Sequence, residues 1–207
     1  MIGKVGVAYG FDTEQIRFQL LDMKLATGAK IQENVMSLDY DGMTNTLYIG
    51  TSASTTSGSL YVAKNLELSP NSNSINVDKT QPITSQVLAV CKLSGNDKGK
   101  ILAGTYGDGM YESTDQYTFA DLKDIYTFPS SITTTCFGTA GDTKLVGTTT
   151  GLYIFNGTTP TAILTGARIN KIRTFDDVCY VAASNGLYTL NGTAATKILD
   201  GNITDMC

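Results

Sequence analysis

The chain has 207 residues, a formal net charge of −4, 42% hydrophobic residues and 16% charged residues. This composition excludes a disordered chain, and the acidic balance argues against a broad nucleic-acid-binding surface. The sequence has no histidine, which excludes imidazole-based triads, imidazole acid–base catalysis and histidine metal ligands. The length fits a single all-β domain over residues 1–207.

Targeting and cofactor signals are missing from the sequence. Residues 1–7 (MIGKVGV) lack a long apolar stretch and a cleavage site, so we expect no signal peptide. No stretch approaches the roughly 20 apolar residues of a transmembrane helix, and no basic run indicates a membrane partner. No phosphate-cradling loop or metal-ligand spacing is present, so we expect no cofactor and no metal. These observations predict a virion or cytoplasmic location.

In chain order, a degenerate hairpin comes first and four clearer copies follow. Each clear copy is a short apolar strand ending in small residues, a polar turn and a second strand with a tyrosine near its start, which is typical of a β-hairpin. The hairpins are Val5–Tyr9 with Gln15–Leu20, Leu47–Thr51 with Gly58–Val62, Ile101–Thr105 with Gly109–Ser113, Lys144–Thr148 with Gly151–Phe155, and Cys179–Ala183 with Gly186–Leu190.

Further strands flank these hairpins. Those predicted before the four clear hairpins are Val35–Asp39, Val87–Cys91, Ile132–Cys136 and Ile169–Arg173. Those predicted after the five hairpins are Ala29–Ile31, Ser74–Val77, Asp124–Thr127, Thr161–Leu164 and Thr196–Leu199. The strand Ile203–Cys207 has no hairpin after it, and the hairpin at Val5 has no strand before it. The sequence therefore predicts a five-bladed β-propeller with four antiparallel strands per blade, in which the C-terminal strand joins the N-terminal blade and closes the ring.

The Leu-Tyr-Ile-Gly-Thr…Gly-Ser-Leu-Tyr and Leu-Val-Gly-Thr…Gly-Leu-Tyr patterns resemble the repeats of two-component-regulator-type and BNR-like propellers over nearly the whole chain. The resemblance implies the fold and does not specify a function. Only the fragment Ser113-Thr114-Asp115 remains of the Ser-x-Asp-x-Gly-x-x-Trp box of BNR repeats, so sialidase chemistry is unsupported. Five blades also resemble tachylectin-like lectins, but the chain lacks their regularly repeated aromatic sugar site.

The turns between the second and third strands of each blade are expected on one face of the disc. Exposed aromatic side chains on loops indicate contact surfaces, so Tyr9, Phe11, Tyr106 and Asp108 are the predicted partner- or ligand-binding residues. Ordinary turn chemistry is the alternative for these positions. Because the residues differ between blades, one asymmetric contact surface is favoured over five copies of a small-ligand site.

Two other repeated features are interpreted as packing. The tyrosines are expected between blades, with their hydroxyls at the rim; they are Tyr61, Tyr111, Tyr153 and Tyr188. Cys91, Cys136 and Cys207 are predicted at the same position of three inner strands, as buried thiols, with Asp39 and Arg173 at that position in the other two.

These features predict a non-catalytic interaction or assembly module that binds other proteins through one loop face, as a structural or accessory protein of a virus particle such as a bacteriophage. Its partners would be virion components, in a homo- or hetero-oligomer, and neither nucleic acid nor a membrane. A glycan-binding, lectin-like propeller is the alternative. An enzyme working with carboxylates alone would need Asp39 and Asp205 to face each other across the channel mouth, and we do not expect one.

Overall fold

The computed structural model describes residues 7–10, 18–66, 74–80, 82–93, 99–113, 119–121, 132–155 and 159–206, with side chains from residue 22 onward except at 119–121. This described part contains strands and turns and no helix. The strands are β1 Val7–Gly10, β2 Phe18–Lys24, β3 Asn34–Asp41, β4 Thr46–Ser52, β5 Leu60–Ala63, β6 Ser74–Asn76, β7 Asp78–Lys79, β8 Val87–Lys92, β9 Ile101–Thr105, β10 Met110–Ser113, β11 Phe119–Asp121, β12 Thr134–Ala140, β13 Thr143–Thr148, β14 Gly151–Ile154, β15 Thr161–Thr165, β16 Ile169–Phe175, β17 Val178–Ala183, β18 Gly186–Asn191 and β19 Ala194–Asp200.

The strands form five sheets in chain order. Sheet I is β1-β2-β6, sheet II is β3-β4-β5-β7, sheet III is β8-β9-β10-β11, sheet IV is β12-β13-β14-β15 and sheet V is β16-β17-β18-β19. Sheets II to V are antiparallel throughout. The predicted all-β class is confirmed, and the four clear hairpins appear where the repeat placed them. The degenerate first hairpin is formed by β1 and β2 instead of Val5–Tyr9 and Gln15–Leu20, of which residues 5, 6 and 15–17 lie outside the described residues.

The predicted fourth strands differ in sheets I and II. Residues 29–31 form only an isolated bridge between Lys30 and Lys24. Instead, β6 joins sheet I by pairing in parallel with β2, and β7 becomes the outer strand of sheet II. The physical reason is burial, because Ile75 and Val77 both enter the apolar cluster around Met23. In sheet III the outer strand is β11, and the predicted strand at 124–127 lies outside the described residues.

The predicted closing strand is not a strand over its described residues, 203–206. The Ile203 amide donates to the Ala183 carbonyl at 3.1 Å, and the Asn170 amide group donates to the Ile203 carbonyl at 2.8 Å. This segment therefore lies against sheet V. Its predicted pairing with the N-terminal hairpin is not observed among the described residues, and Cys207 lies outside them.

Sheets II to V stack with their first strands side by side, β3 next to β8, β8 next to β12 and β12 next to β16. The glycine of the Gly-Thr motif in the second strand makes this stacking possible. A Cβ atom on Gly50 would lie 2.8 Å from Val87 Cγ1, one on Gly104 would lie 2.7 Å from Thr134 Cβ, and one on Gly147 would lie 2.8 Å from Ile169 Cγ2. The next sheet occupies the space of the missing side chain.

Each of the four first strands carries one extra residue relative to the strand beside it. The register shifts after the second pair in sheet II and after the first pair in sheets III to V, which leaves Met36, Leu88, Thr135 and Asn170 unpaired in the ladder. These are β-bulges, which bend a strand and re-aim its side chains. The predicted alignment of the thiols is wrong, because Cys136 pairs with Gly147, as Ala89 does with Gly104, whereas Cys91 pairs with Leu102, two positions further along the repeat.

Apolar side chains fill the spaces between successive sheets. Tyr48 and Leu60 of sheet II pack with Ile101 and Tyr111 of sheet III. Sheets III and IV share a cluster around Leu102 and Phe155, and sheets IV and V share one around Leu145 and Val181.

We predict that Gly104→Ala lowers the free energy of unfolding by about 2 kcal/mol, because the added methyl group overlaps Thr134. Ala182 holds the equivalent position in sheet V, and Ala182→Gly serves as the control, with an expected loss of about 1 kcal/mol or less. Urea unfolding of both variants measures the effect. Equal losses would contradict the proposed steric constraint.

Sheets II and III are also joined by a polar clamp at the end opposite the motif glycines. The Lys92 ammonium pairs with Asp41, whose side chain is 2% exposed, and the Lys92 amide donates to Asp39. Burial raises the pKa of the Asp41 carboxyl, but hydrogen bonds from Lys92, Thr44 and the Met43 amide outweigh it and lower the pKa to about 2.

We predict that Asp41→Asn lowers the free energy of unfolding by about 3 kcal/mol at neutral pH, because it leaves a largely buried ammonium without its carboxylate. The carboxylate stabilises the fold fully above its unfolded pKa, near pH 4, and this contribution disappears as the pH falls through about 2. The difference between wild type and variant should therefore shrink from pH 4 to pH 2 in denaturant titrations.

The control is Asp22→Asn, which removes the exposed ion pair between Asp22 and Lys30. It should change stability little. A pH-independent difference between wild type and Asp41→Asn would refute the assignment of this stability to the carboxylate.

Candidate ligand-binding cavity and turn face

The first strands of sheets II to V surround a cavity of about 570 Å³. Each strand contributes its bulged residue and the residues that follow. The lining residues are Met36, Ser37, Leu38, Asp39, Leu88, Ala89, Val90, Cys91, Thr135, Cys136, Phe137, Asn170, Lys171, Ile172 and Arg173. Polar and charged side chains contribute much of its surface beside the apolar ones, and its size falls within the usual range of small-molecule sites.

The polar groups of the cavity are unevenly distributed. On β3, the Asp39 carboxylate accepts hydrogen bonds from the Tyr40 amide at 2.9 Å and from the Lys92 amide. The cationic groups lie on β16 of sheet V, where Lys171 and Arg173 line the cavity. Lys171 pairs with Asp205 at 3.6 Å, and both side chains of this pair are solvent-accessible.

The two thiols of the cavity, Cys91 and Cys136, have low reactivity. Burial, together with the nearby Asp39 charge, raises the pKa of the Cys91 thiol to about 12. Burial raises the pKa of the Cys136 thiol to about 11. Both therefore remain protonated near neutral pH, and the thiolate is the form that attacks electrophiles or binds metals. Among the residues with described side chains, no group of three or more cysteine, aspartate or glutamate residues could hold a metal ion.

The two carboxylates considered for hydrolysis have other roles. Asp39 accepts backbone hydrogen bonds from two strands, as described above. A hydrogen bond from the Met206 amide and the nearby Lys171 charge lower the pKa of Asp205. This shift is opposite in direction to the raised pKa of a glycosidase acid.

The predicted contact residues lie in different settings. Tyr106 is on the β9–β10 turn and is 50% exposed. Asp108, on the same turn, accepts hydrogen bonds from Tyr111 Oη at 2.6 Å and Ser85 Oγ at 3.3 Å. Tyr9 lies in β1 and pairs with Gln19 of β2. The side chain of Tyr9 and all of Phe11 lie outside the described residues. The structure therefore provides one exposed aromatic side chain on this face, beside an aspartate that anchors the turn.

The repeated tyrosines share one arrangement in three sheets. Their rings are buried between sheets, and their hydroxyls bind polar groups at the turn face. Tyr61 donates to Glu33 at 2.9 Å, Tyr111 donates to Asp108, and Tyr188 donates to Asn185 at 3.0 Å. Burial and the Glu33 carboxylate raise the pKa of Tyr61 to about 12. The sequence pattern predicts the packing of these rings. It does not predict the hydrogen-bond acceptors of their hydroxyls, because Glu33 lies before β3 and Asn185 in a turn, both outside the repeated strand pattern.

One face of sheet V is incompletely covered. In sheets II to IV, the positions that face the next sheet are at most 1% exposed; they are Tyr48 and Leu60, Leu102 and Met110, and Leu145 and Leu152. The equivalent Tyr180 and Leu187 of sheet V are only partly buried and line a second cavity of about 530 Å³, with Phe175 and Met206. On the opposite flank, Leu38 of sheet II is 46% exposed.

Comparison with solved structures supports the fold. Two structures of the extracellular domain of BT4673 from B. thetaiotaomicron, described as a one-component and as a hybrid two-component system, are each 14% identical to this chain. The TM-scores are 0.49 and 0.50, over 84% and 89% of this chain. The chain spans only 29% and 30% of those structures. No protein-family model matches the chain, and no curated protein is similar to it in sequence.

The sheets of this chain, together with the similar structure at a TM-score of 0.50, define the class as an all-β, propeller-like repeat protein. The predicted virion or cytoplasmic location is contradicted, since the similar structure with a TM-score of 0.50 is an extracellular domain. The comparisons place no virion protein among these similar structures. They also give no support to a role in a phage particle. In the described part of the chain, no helix has the length and apolar character needed to cross a membrane.

Proposed function

We propose that this protein is a non-catalytic, propeller-like binding module that takes a small ligand into the cavity between the first strands of its sheets. The observation that carries the proposal is the cavity itself, because four bulged strands converge on it with both apolar and polar side chains. Its groups suit recognition better than chemistry. The thiols are protonated, and the two carboxylates hold backbone or lysine partners.

The module is proposed to act outside the cytoplasm. The support is the description of the two similar structures as extracellular domains of a signalling system. A binding module in such a system would pass on the presence of its ligand without altering it. The chain also has protein partners under this proposal, since a sensor domain must report to other domains.

The proposed architecture is a closed ring of five sheets in a single domain. Asn170 of sheet V binds the Ile203 carbonyl just as Thr135 of sheet IV binds the Ile169 carbonyl. Ile203 is thus held in the same way as Ile169, the first residue of β16. We propose that residues 203–206 belong to the inner strand of sheet I and that sheet I covers Tyr180 and Leu187 on one side and Leu38 on the other.

A buried charge tests closure. In a closed ring, Leu187→Asp should cost about 3 kcal/mol of unfolding free energy, because the carboxylate would be buried without a partner. Leu152→Asp, at the equivalent position of sheet IV, is the positive control, and Val178→Asp, at an exposed position, is the neutral one. Light scattering must show a monomer, so that a second copy does not supply the cover. A Leu187→Asp cost equal to that of Val178→Asp would contradict closure.

A glycan site at the turn face is the second candidate. It is favoured by Tyr106, whose ring is half-exposed on a turn where it could stack against a sugar. A protein contact through the same face would use the same side chain.

Calorimetric titration with a panel of sugars, amino acids and organic acids distinguishes the sites. We expect Leu88→Trp, which fills the cavity, to weaken binding at least tenfold, and Tyr106→Ala to leave it unchanged. The opposite pattern would assign binding to the turn face. No binding of any panel member to wild type would contradict the small-ligand proposal.

A further inference from the structure

The charges of the cavity are not balanced around its wall. Lys171 and Arg173 are two residues apart on β16 and both line the cavity. The protein as a whole has a net charge of −4, so this cationic strand contrasts with the rest of the molecule. Asp39, the acidic residue of the opposite wall, is already bound by the amides of Tyr40 and Lys92.

The described acceptors near the two cations leave room for an anion. The contact of Lys171 with Asp205, at 3.6 Å, joins two solvent-accessible side chains, and such pairs are weak. No hydrogen bond from the Arg173 guanidinium is found among the described residues. The Arg173 charge does contribute to lowering the pKa of the nearby Asp205 carboxyl. A planar guanidinium binds a carboxylate through two parallel hydrogen bonds.

We propose that the cavity selects a small ligand that carries a carboxylate group, with Arg173 as its main partner and Lys171 as the second cation. This inference rests on the proposed function, since it specifies the ligand of the same cavity. The apolar side chains of Leu88, Val90 and Phe137 would contact the uncharged part of the ligand. The binding step is reversible and forms no covalent bond.

Cys91 reports the charge selectivity of the cavity without any ligand. It lines the cavity and is partly accessible. Anionic and cationic methanethiosulfonate reagents of similar size can be compared by mass spectrometry of the Cys91 peptide. We expect the anionic reagent to react roughly tenfold faster at low salt, because a charged cleft concentrates the opposite charge. The raised thiol pKa slows both reagents alike and cancels in the ratio.

The ratio should fall towards one in Lys171→Gln and Arg173→Gln. It should stay unchanged in Lys79→Gln, which removes the same charge from the exposed outer strand β7. The proposal would be overturned if the cationic reagent reacted with wild type as fast as the anionic reagent or faster. It would also be overturned if the ratio of the anionic to the cationic rate were unchanged in both Lys171→Gln and Arg173→Gln.

Glucuronate and glucose then separate this inference from the proposed function. Calorimetry should show binding of glucuronate at least tenfold tighter than binding of glucose, with the preference lost in Arg173→Gln and kept in Lys79→Gln. Equal binding of both sugars, or binding of glucose alone, would overturn carboxylate selection while leaving the cavity as a binding site. Binding of neither would also overturn it, and the wider panel would then decide the proposed function.

Discussion

The stacking of the sheets depends on a missing side chain. At one position of the second strand, sheets II to IV have glycine, and the first strand of the next sheet lies where a Cβ atom would be. Because this contact recurs, it sets the distance between successive sheets, and that distance allows the apolar side chains on either side to interdigitate. The inner strands are then brought close enough to surround a single cavity.

The threonine after this glycine stabilises the adjoining turn. Its hydroxyl donates to a backbone carbonyl across the hairpin in all three sheets, from Thr51 to Ser59, from Thr105 to Gly109 and from Thr148 to Gly151. A buried hydroxyl with a backbone partner costs little and fixes the turn geometry. In the Gly-Thr pair, the glycine thus allows the close packing of successive sheets, and the threonine stabilises the turn of the hairpin.

Much of this architecture could be predicted from the sequence, because a hairpin leaves a local pattern. The parts that could not be predicted depend on contacts distant in sequence. Cys136 lies two positions before the equivalent of Cys91, and this offset could not be found before the pairing of Cys136 with Gly147 was known. The same holds for β6, which joins sheet I because Ile75 is buried beside Met23. The cavity could not be predicted as a site because its residues come from four separate strands. Asp108 is predicted to contact a ligand, but in the structure it accepts a hydrogen bond from Tyr111 within its own hairpin.

Polar contacts between first strands join neighbouring sheets. Ser37 of sheet II binds the Val87 carbonyl of sheet III, and Thr135 of sheet IV binds the Ile169 carbonyl of sheet V. Contacts of this nearest-neighbour kind are typical of repeat proteins, whose stability is close to a sum over adjacent units. An additional unit produced by gene duplication would find matching surfaces on both sides. The number of sheets is therefore open to evolutionary change, and a change in that number would widen or narrow the cavity while leaving the structure of each sheet intact.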